Sequence, residues 1–363
     1  MIRKGNKVAR STNNRSNNLL KQWLPVLIVL VLSVVVVAVL FGYNPFKNGS
    51  EKATSLSVTD TAKVDIQEQP AFEEPEPKKI SMTPEEESIP DTSTALITPS
   101  LAPEPNLPPN PQTTDLIDEA MTILDDNPDR IIEARQILND ALQMTANTQQ
   151  QDTIKRKLAG LSDKWLFSRT IYPQDKLCGT YKVEPGEQLR NIGRLFNVPY
   201  EALMEINKIS DASKLKADQI IKIIHGPFHA IVDRSEFTLD LYLQDAYVKS
   251  FEVGLGKEDM ETPTGLWVVQ QGGKLVKPRW TDPLSGRTYE PDDPDYPLGS
   301  RWIALEGLEG EALGRQGFAI HGTKDPNSIG TRSSQGCIRL HNGNVILVYK
   351  LLQEGVSKVR VIN

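Results

Sequence analysis

Cysteine and histidine are scarce in this chain, with two and four among 363 residues. Two cysteines, Cys178 and Cys337, allow at most one disulfide, so no framework of bridges can hold the fold. His225 and His229 have the i,i+4 spacing that suits a metal on a helix, but Gly226-Pro227 between them breaks a helix. No metal site is expected there. Positive charge is not in excess: the net charge is -6, which gives no support to a nucleic-acid partner. Acidic residues are missing from residues 1–22, which carry Arg3, Lys4, Lys7, Arg10, Arg15 and Lys21. Charge of either sign is missing from Gln22 to Phe46. Aromatics are nearly missing from residues 47–114, and without them that stretch has little to build a core from.

The uncharged segment is long enough to cross a bilayer as a helix over residues 23–43, with Trp23 and Tyr43 near its ends. It exceeds an ordinary secretory apolar region, and no Ala-x-Ala site follows it. An uncleaved single-pass membrane anchor is expected. The basic tail at 1–22 would lie in the cytoplasm and everything after Phe46 outside it, in the periplasm or cell wall. Residues 47–114 are dense in proline and glutamate, so a disordered, partly polyproline tether is expected. Even as a flexible coil it would reach on the order of 45 Å.

Helical periodicity begins at Asp115. Leu116, Ile117, Ala120, Ile123 and Leu124 form one stripe, Pro128 interrupts it, and further stripes run to Leu166. A helical hairpin or bundle over 115–169 is expected, acting as a spacer packed on its neighbours. Tyr181 to Ile224 reads as strand, helix, helix, strand: Tyr181–Val183, a turn at Pro185-Gly186, two short apolar stripes, and Ile220–Ile224. From Pro227 onward alternating apolar segments separated by turn residues predict a mainly-β domain, a sandwich or open barrel, closed by a helix over Asn344–Gln353 and a strand over Lys358–Ile362.

The chemistry concentrates in Ala319–Asn342. Phe318-Ala319-Ile320 is a short strand that carries His321 to its end, and Cys337 follows sixteen residues on. Asp325-Pro326-Asn327 and Gly330 are turn residues, so the chain loops out and returns. A thiol becomes a strong nucleophile as its thiolate, and an imidazole can take its proton. Gly336 permits a sharp bend beside the sulfur, where amide N–H groups can face a developing oxyanion. A lone cysteine is more often a buried small apolar residue, but the ordered set of His, Gly, Ser, Gly, Cys and Arg is far more specific than either residue alone.

His-Gly-Thr followed by Ser-x-Gly-Cys-Ile-Arg-Leu resembles the catalytic domain of YkuD-type L,D-transpeptidases. The resemblance runs from about Phe228 to Val361 and includes IVDRSEFTLDLYL, ETPTGLW and DYPLGSRW. Where the family usually has a second histidine before the Gly-Cys pair, this chain has Gln335. The region 179–226 resembles a LysM domain through Tyr-Lys-Val-Glu-Pro-Gly-Glu, Phe-Asn-Val-Pro and the helix end Ile206-Asn207. Glu187-Gln188 stand where the family usually has Asp with Thr or Ser.

These resemblances imply a peptidoglycan enzyme with no cofactor. Cys337 would attack the carbonyl of a diamino acid's L-centre in a tetrapeptide stem and release D-Ala. His321 would act as general base and then acid, oriented by Gly322 or Ser334. Backbone N–H groups around Gly336 and Cys337 would hold the oxyanion. Arg339 would meet a substrate carboxylate, brace the loop, or form a structural ion pair. An amine of a neighbouring stem would resolve the acyl-enzyme as a 3-3 cross-link. Carbapenems acylate this family, which implies covalent addition to Cys337. Pro185, Gly186, Leu189, Asn207 and Ile209 would line a glycan groove. Lys277 to Trp302 would form a loop over the active site, and Cys178 is expected to be buried or distant from Cys337. Two alternatives stay open: an L,D-carboxypeptidase or exchange enzyme using the same cysteine, and a non-catalytic LysM wall-binding anchor.

Overall fold

The computed structural model describes residues 107–363. The basic tail, the apolar segment at 23–43 and the linker up to residue 106 lie outside the described residues. Among those described, no helix is long and apolar enough to cross a membrane.

Three helices come first: α1 (Pro111–Asp126), α2 (Ile131–Met144) and α3 (Thr148–Trp165). Helix α1 starts inside the stretch read from sequence as linker. Asn110 accepts a side-chain hydrogen bond from the Gln112 N–H, and Pro111 takes a first-turn position where its missing N–H costs nothing. Proline density therefore marked a helix start there and not an extended chain. Ile131, Leu138, Leu142, Ile154, Leu158 and Trp165 form the buried seam of the bundle. The Arg135 guanidinium lies 4.2 Å from the centroid of the Trp165 ring and pairs with buried Asp175 at 3.0 Å.

A small module follows: β1 (Cys178–Lys182), α4 (Leu189–Leu195), α5 (Tyr200–Asn207) and β2 (Ile220–Ile224), with β1 and β2 antiparallel. Leu189, Ile192, Val198, Leu203, Ile206 and Ile223 are its core. Cys178 is a free, buried thiol on β1. The Lys222 ammonium is also buried, and donates to the carbonyls of Trp165, Ser168 and Thr170. That cage ties β2 to the end of α3.

From Phe228 the chain is mainly strand. In order come β3 (Phe228–Asp233), β4 (Thr238–Leu243), β5 (Ala246–Glu252), β6 (Leu255–Gly256) and β7 (Gly265–Leu275). Then follow β8 (Trp280–Thr281), β9 (Thr288–Tyr289), β10 (Trp302–Glu309), β11 (Phe318–His321), β12 (Arg332–Ser334) and β13 (Ile338–Arg339). Helix α6 (Asn342–Leu351) and β14 (Lys358–Ile362) complete it.

Eight strands form one mixed sheet in the order β13-β11-β10-β7-β14-β3-β4-β5. Of the two expected forms, sandwich or open barrel, the sandwich is excluded: the strands form a single open sheet whose edges are β13 and β5. The last strand causes the difference. β14 inserts between β7 and β3, antiparallel to one and parallel to the other, and joins what would otherwise be two sheets. Alternation along a strand reports which residues face inward, but not which strand lies beside it. All six residues of β3 are buried, as befits a strand covered on both faces.

Candidate active site

His321 ends β11, and Arg339 sits opposite it in the parallel pairing of β11 with β13. Cys337 immediately precedes β13, so the ladder Ile320–Ile338 and His321–Arg339 brings the thiol and the imidazole to the same end of the sheet. On the other side of β11, Trp302 of β10 pairs with His321 and stacks on its ring, centroids 5.6 Å apart and planes 22° from parallel. A cavity of about 210 Å³ opens over them, lined among others by Trp280, Tyr289, Trp302, His321, Cys337 and Arg339.

His321 Nδ1 lies 2.6 Å from the Gly322 carbonyl oxygen. A carbonyl only accepts, so Nδ1 carries the proton and Nε2 keeps its lone pair in the neutral ring. The imidazole pKa is lowered to about 4, chiefly because burial penalises the charged ring; Arg339 pushes the same way, and the carbonyls of Gly322 and Leu298 oppose it. The half-buried Cys337 thiol is raised to about 11, again chiefly by burial, with the Ala319 N–H and Arg339 pulling it down. At neutral pH the resting pair is a thiol beside a neutral base.

Ser334 serves a different purpose from the His orientation expected of it. Its hydroxyl donates to the Cys337 carbonyl at 2.6 Å and accepts from the Gly336 N–H at 3.1 Å. The Gly336 N–H, expected as an oxyanion donor, is thereby occupied. Glycine is nevertheless required at 336: φ is +104°, and a Cβ would come within 2.7 Å of the Phe318 ring. Buried Thr262 holds the same peptide from the other side, donating to the Gly336 carbonyl at 2.9 Å. Arg339 donates to Ser333 Oγ at 3.2 Å and, among the described residues, makes no ion pair. It lines the cavity, so bracing and substrate contact are both open to it while the structural ion pair is not.

Two residues of the site carried no role in the sequence reading. Asn342, at the start of α6, accepts from Ser300 N at 2.9 Å and donates to the Thr323 carbonyl at 2.8 Å, clamping the turn that follows His321. A Cβ on Gly322 would lie 2.2 Å from Asn342 Oδ1, which is why glycine follows the histidine. Thr262 lies in ETPTGLW, a run noted for its resemblance and not for a contact.

The segment Lys277–Trp302 does border the cavity. Its hairpin β8–β9 pairs Trp280 with Tyr289, whose rings stack at 5.9 Å. Gln335 Nε2 donates to Asp282 Oδ1 at 3.2 Å and links the hairpin to the Cys337 loop.

The expected glycan groove divides. Pro185 and Gly186 are exposed and Ile209 is half-buried, but Leu189 belongs to the core. The Asn207 side chain is buried and spent: it donates to the carbonyls of Leu203 and Lys222 and accepts from Lys222 N at 2.8 Å. It closes the module internally, so only its backbone could face a ligand. Of the remaining histidines, His225 packs edge-on against Phe196 and His229 Nδ1 accepts from the Lys358 N–H.

Residues 227–361 match the family model of the L,D-transpeptidase catalytic domain, and residues 181–223 match that of the LysM domain. YkuD of Bacillus licheniformis is 30% identical over 182 residues, covering 48% of this chain and 94% of its own. YkuD of Bacillus subtilis is 31% identical over 183 residues, with the same two coverages of 48% and 94%. YqjB of the same species is 32% identical over 132 residues, 36% of this chain and 69% of its own. With its shared cavity of cysteine, histidine and arginine at one end of the sheet, the chain belongs to the L,D-transpeptidase (YkuD) family of enzymes.

Proposed function

We propose that the protein is a membrane-tethered peptidoglycan L,D-transpeptidase acting through Cys337. The convergence of Cys337, His321 and Arg339 on one cavity carries this reading. A stem carbonyl placed against the sulfur is attacked as the thiol proton passes to Nε2 of His321. The pair is neutral at rest, so the proton moves only when the substrate excludes water and the sulfur bonds to carbon. The tetrahedral oxyanion faces the N–H of Cys337, since Ser334 occupies that of Gly336. Collapse expels D-Ala as its amine takes the proton back from His321. Arg339, without an ion-pair partner among the described residues, suits a stem carboxylate. An acceptor amine then repeats the sequence in reverse. The small module at 181–223 holds the enzyme on glycan strands and raises the local concentration of stems. The uncharged segment at 23–43 keeps the assembly at the outer face of the membrane.

The test is product analysis of disaccharide-tetrapeptides incubated with the protein. Dimers are expected, whereas tripeptides alone would indicate a carboxypeptidase. Cys337→Ala should abolish both products and leave the fold intact; cross-linking by that variant would overturn the mechanism.

A further inference from the structure

A second cavity, of about 330 Å³, lies where the small module meets the catalytic sheet. Helix α4 lends it Arg190 and Arg194, the start of α5 lends Tyr200 and Glu201, and β7 and α6 lend Lys274 and Tyr349. The Glu205–Lys350 ion pair, 2.8 Å, joins α5 to α6 beside it. Three cations therefore converge on one cleft, and none of them forms an ion pair among the described residues. Two instead lie over aromatic rings: Arg190 is 5.4 Å from the Tyr200 centroid and Lys274 Nζ is 4.5 Å from that of Tyr349. Two acids share the lining: one oxygen of Glu354 accepts the Lys274 backbone N–H at 2.9 Å, and the Glu201 and Glu354 carboxylates both act electrostatically on the Lys274 ammonium.

The cleft stands back to back with the catalytic cavity. Lys274 pairs with Ile303, and its neighbour Leu275 pairs with Trp302, the residue stacked on His321. Successive strand residues face opposite sides of a sheet. Lys274 and Trp302 thus serve opposite faces of the same strand end. Arg301 follows the pattern, with its guanidinium 5.4 Å from the Tyr349 centroid while its carbonyl accepts the Gly322 N–H.

We propose that this cleft binds a second, unreacting peptide stem of the peptidoglycan strand, with stem carboxylates on Arg190, Arg194 and Lys274 and a stem ammonium on Glu201. The proposal rests on the peptidoglycan reading above and adds a subsite to it. Three cations against two acids leave the cleft net positive, which a neutral glycan would not use, and a phosphate polymer would set an anion against Glu201 and Glu354. A stem with both carboxylates and a free amine matches both signs. A strand passing round the end of β7 and β10 would then present its neighbouring stem to Cys337.

The test uses the full-length protein and soluble glycan strands bearing several tetrapeptide stems, alongside the same strands with stem carboxylates amidated. Arg194→Glu reverses an exposed charge that holds no structural contact, and Lys274→Gln gives an independent variant. Calorimetry is expected to show each variant binding the carboxylate strands about tenfold or more weakly, as loss of a charge-assisted contact implies. Their binding to amidated strands should match wild type, and so should their carbapenem acylation of Cys337. Equal binding of carboxylate strands by wild type and both variants would overturn the subsite, as would an equal loss on amidated strands. Stronger competition by polyphosphate than by carboxylate strands would assign the cleft to a phosphate polymer instead. Failure of wild type to be acylated would count against the peptidoglycan reading and is read separately.

Discussion

His321 and Cys337 sit together as uncharged partners, with the imidazole lowered to about 4 and the thiol raised to about 11. Substrate-free enzyme should therefore hold little thiolate at neutral pH. Alkylation of Cys337 by iodoacetamide, followed by peptide mass mapping, should accelerate about tenfold per pH unit between pH 7 and 10. A plateau near neutrality would instead reveal a preformed thiolate–imidazolium pair. At this scale the sequence was informative about identity and poor about partners. His321 and Cys337 were legible because scarce residues stood in an ordered motif, and that motif carried Arg339 with them. What Ser334, Gly336 and Asn207 bond to was not, because it depends on where backbone groups a few residues away point. A serine beside a reactive cysteine suggests a contact with the histidine, yet here it closes the loop on the Cys337 carbonyl.

Among the elements, the hairpin β8–β9 depends on one carboxylate. Asp282 accepts from Leu284 N and Ser285 Oγ within the turn and from Gln335 on the Cys337 loop. Asp282→Ala should free the hairpin, admit water to the acyl-enzyme and raise the tripeptide-to-dimer ratio several-fold, with little change in melting temperature because the half-buried carboxylate bonds only within the hairpin and to Gln335. An unchanged ratio would show that the hairpin does not govern water access. Local periodicity located most strands and the final helix, but α6 spans Asn342–Leu351 where Asn344–Gln353 was expected. Its start is set by the Asn342 clamp on the His321 turn, a tertiary requirement. The choice between sandwich and single sheet stayed open in the sequence for a related reason: β14 pairs with strands about 90 and 130 residues earlier, and no local pattern encodes that choice.

For the whole molecule, burial of neutral histidine makes stability depend on pH. His229 is lowered to about 4 by burial and then by Lys358, as His321 is by its own burial. Both folded values lie below the ordinary 6.5, so the unfolded chain binds more protons between about 6.5 and about 4. The stability present above that window is lost as pH falls through it, on the order of 2 kcal/mol per ring between pH 7 and 5. Urea unfolding at the two pH values should show the loss, and His229→Gln, which keeps an acceptor for the Lys358 N–H, should remove about half of this histidine contribution. An identical pH dependence in the variant would exclude His229 as a source.

The helices before the small module were read as a spacer packed on its neighbours, and the neighbour they lie against is the open edge of the sheet. Helix α3 packs on β5, Asn139 of α2 accepts the outward-facing N–H of Tyr247 at 2.8 Å, and Lys155 of α3 pairs with Asp240 of β4 at 2.7 Å. An uncovered edge strand is a template for pairing with another chain. The boundary drawn by family resemblance falls at residue 227, but the boundary drawn by water falls near residue 131, where the cover for that edge begins. The unit of inheritance and the unit of solubility are therefore not the same length of chain. The helical segment, silent in chemistry, is what allows the catalytic sheet to end without inviting a neighbour.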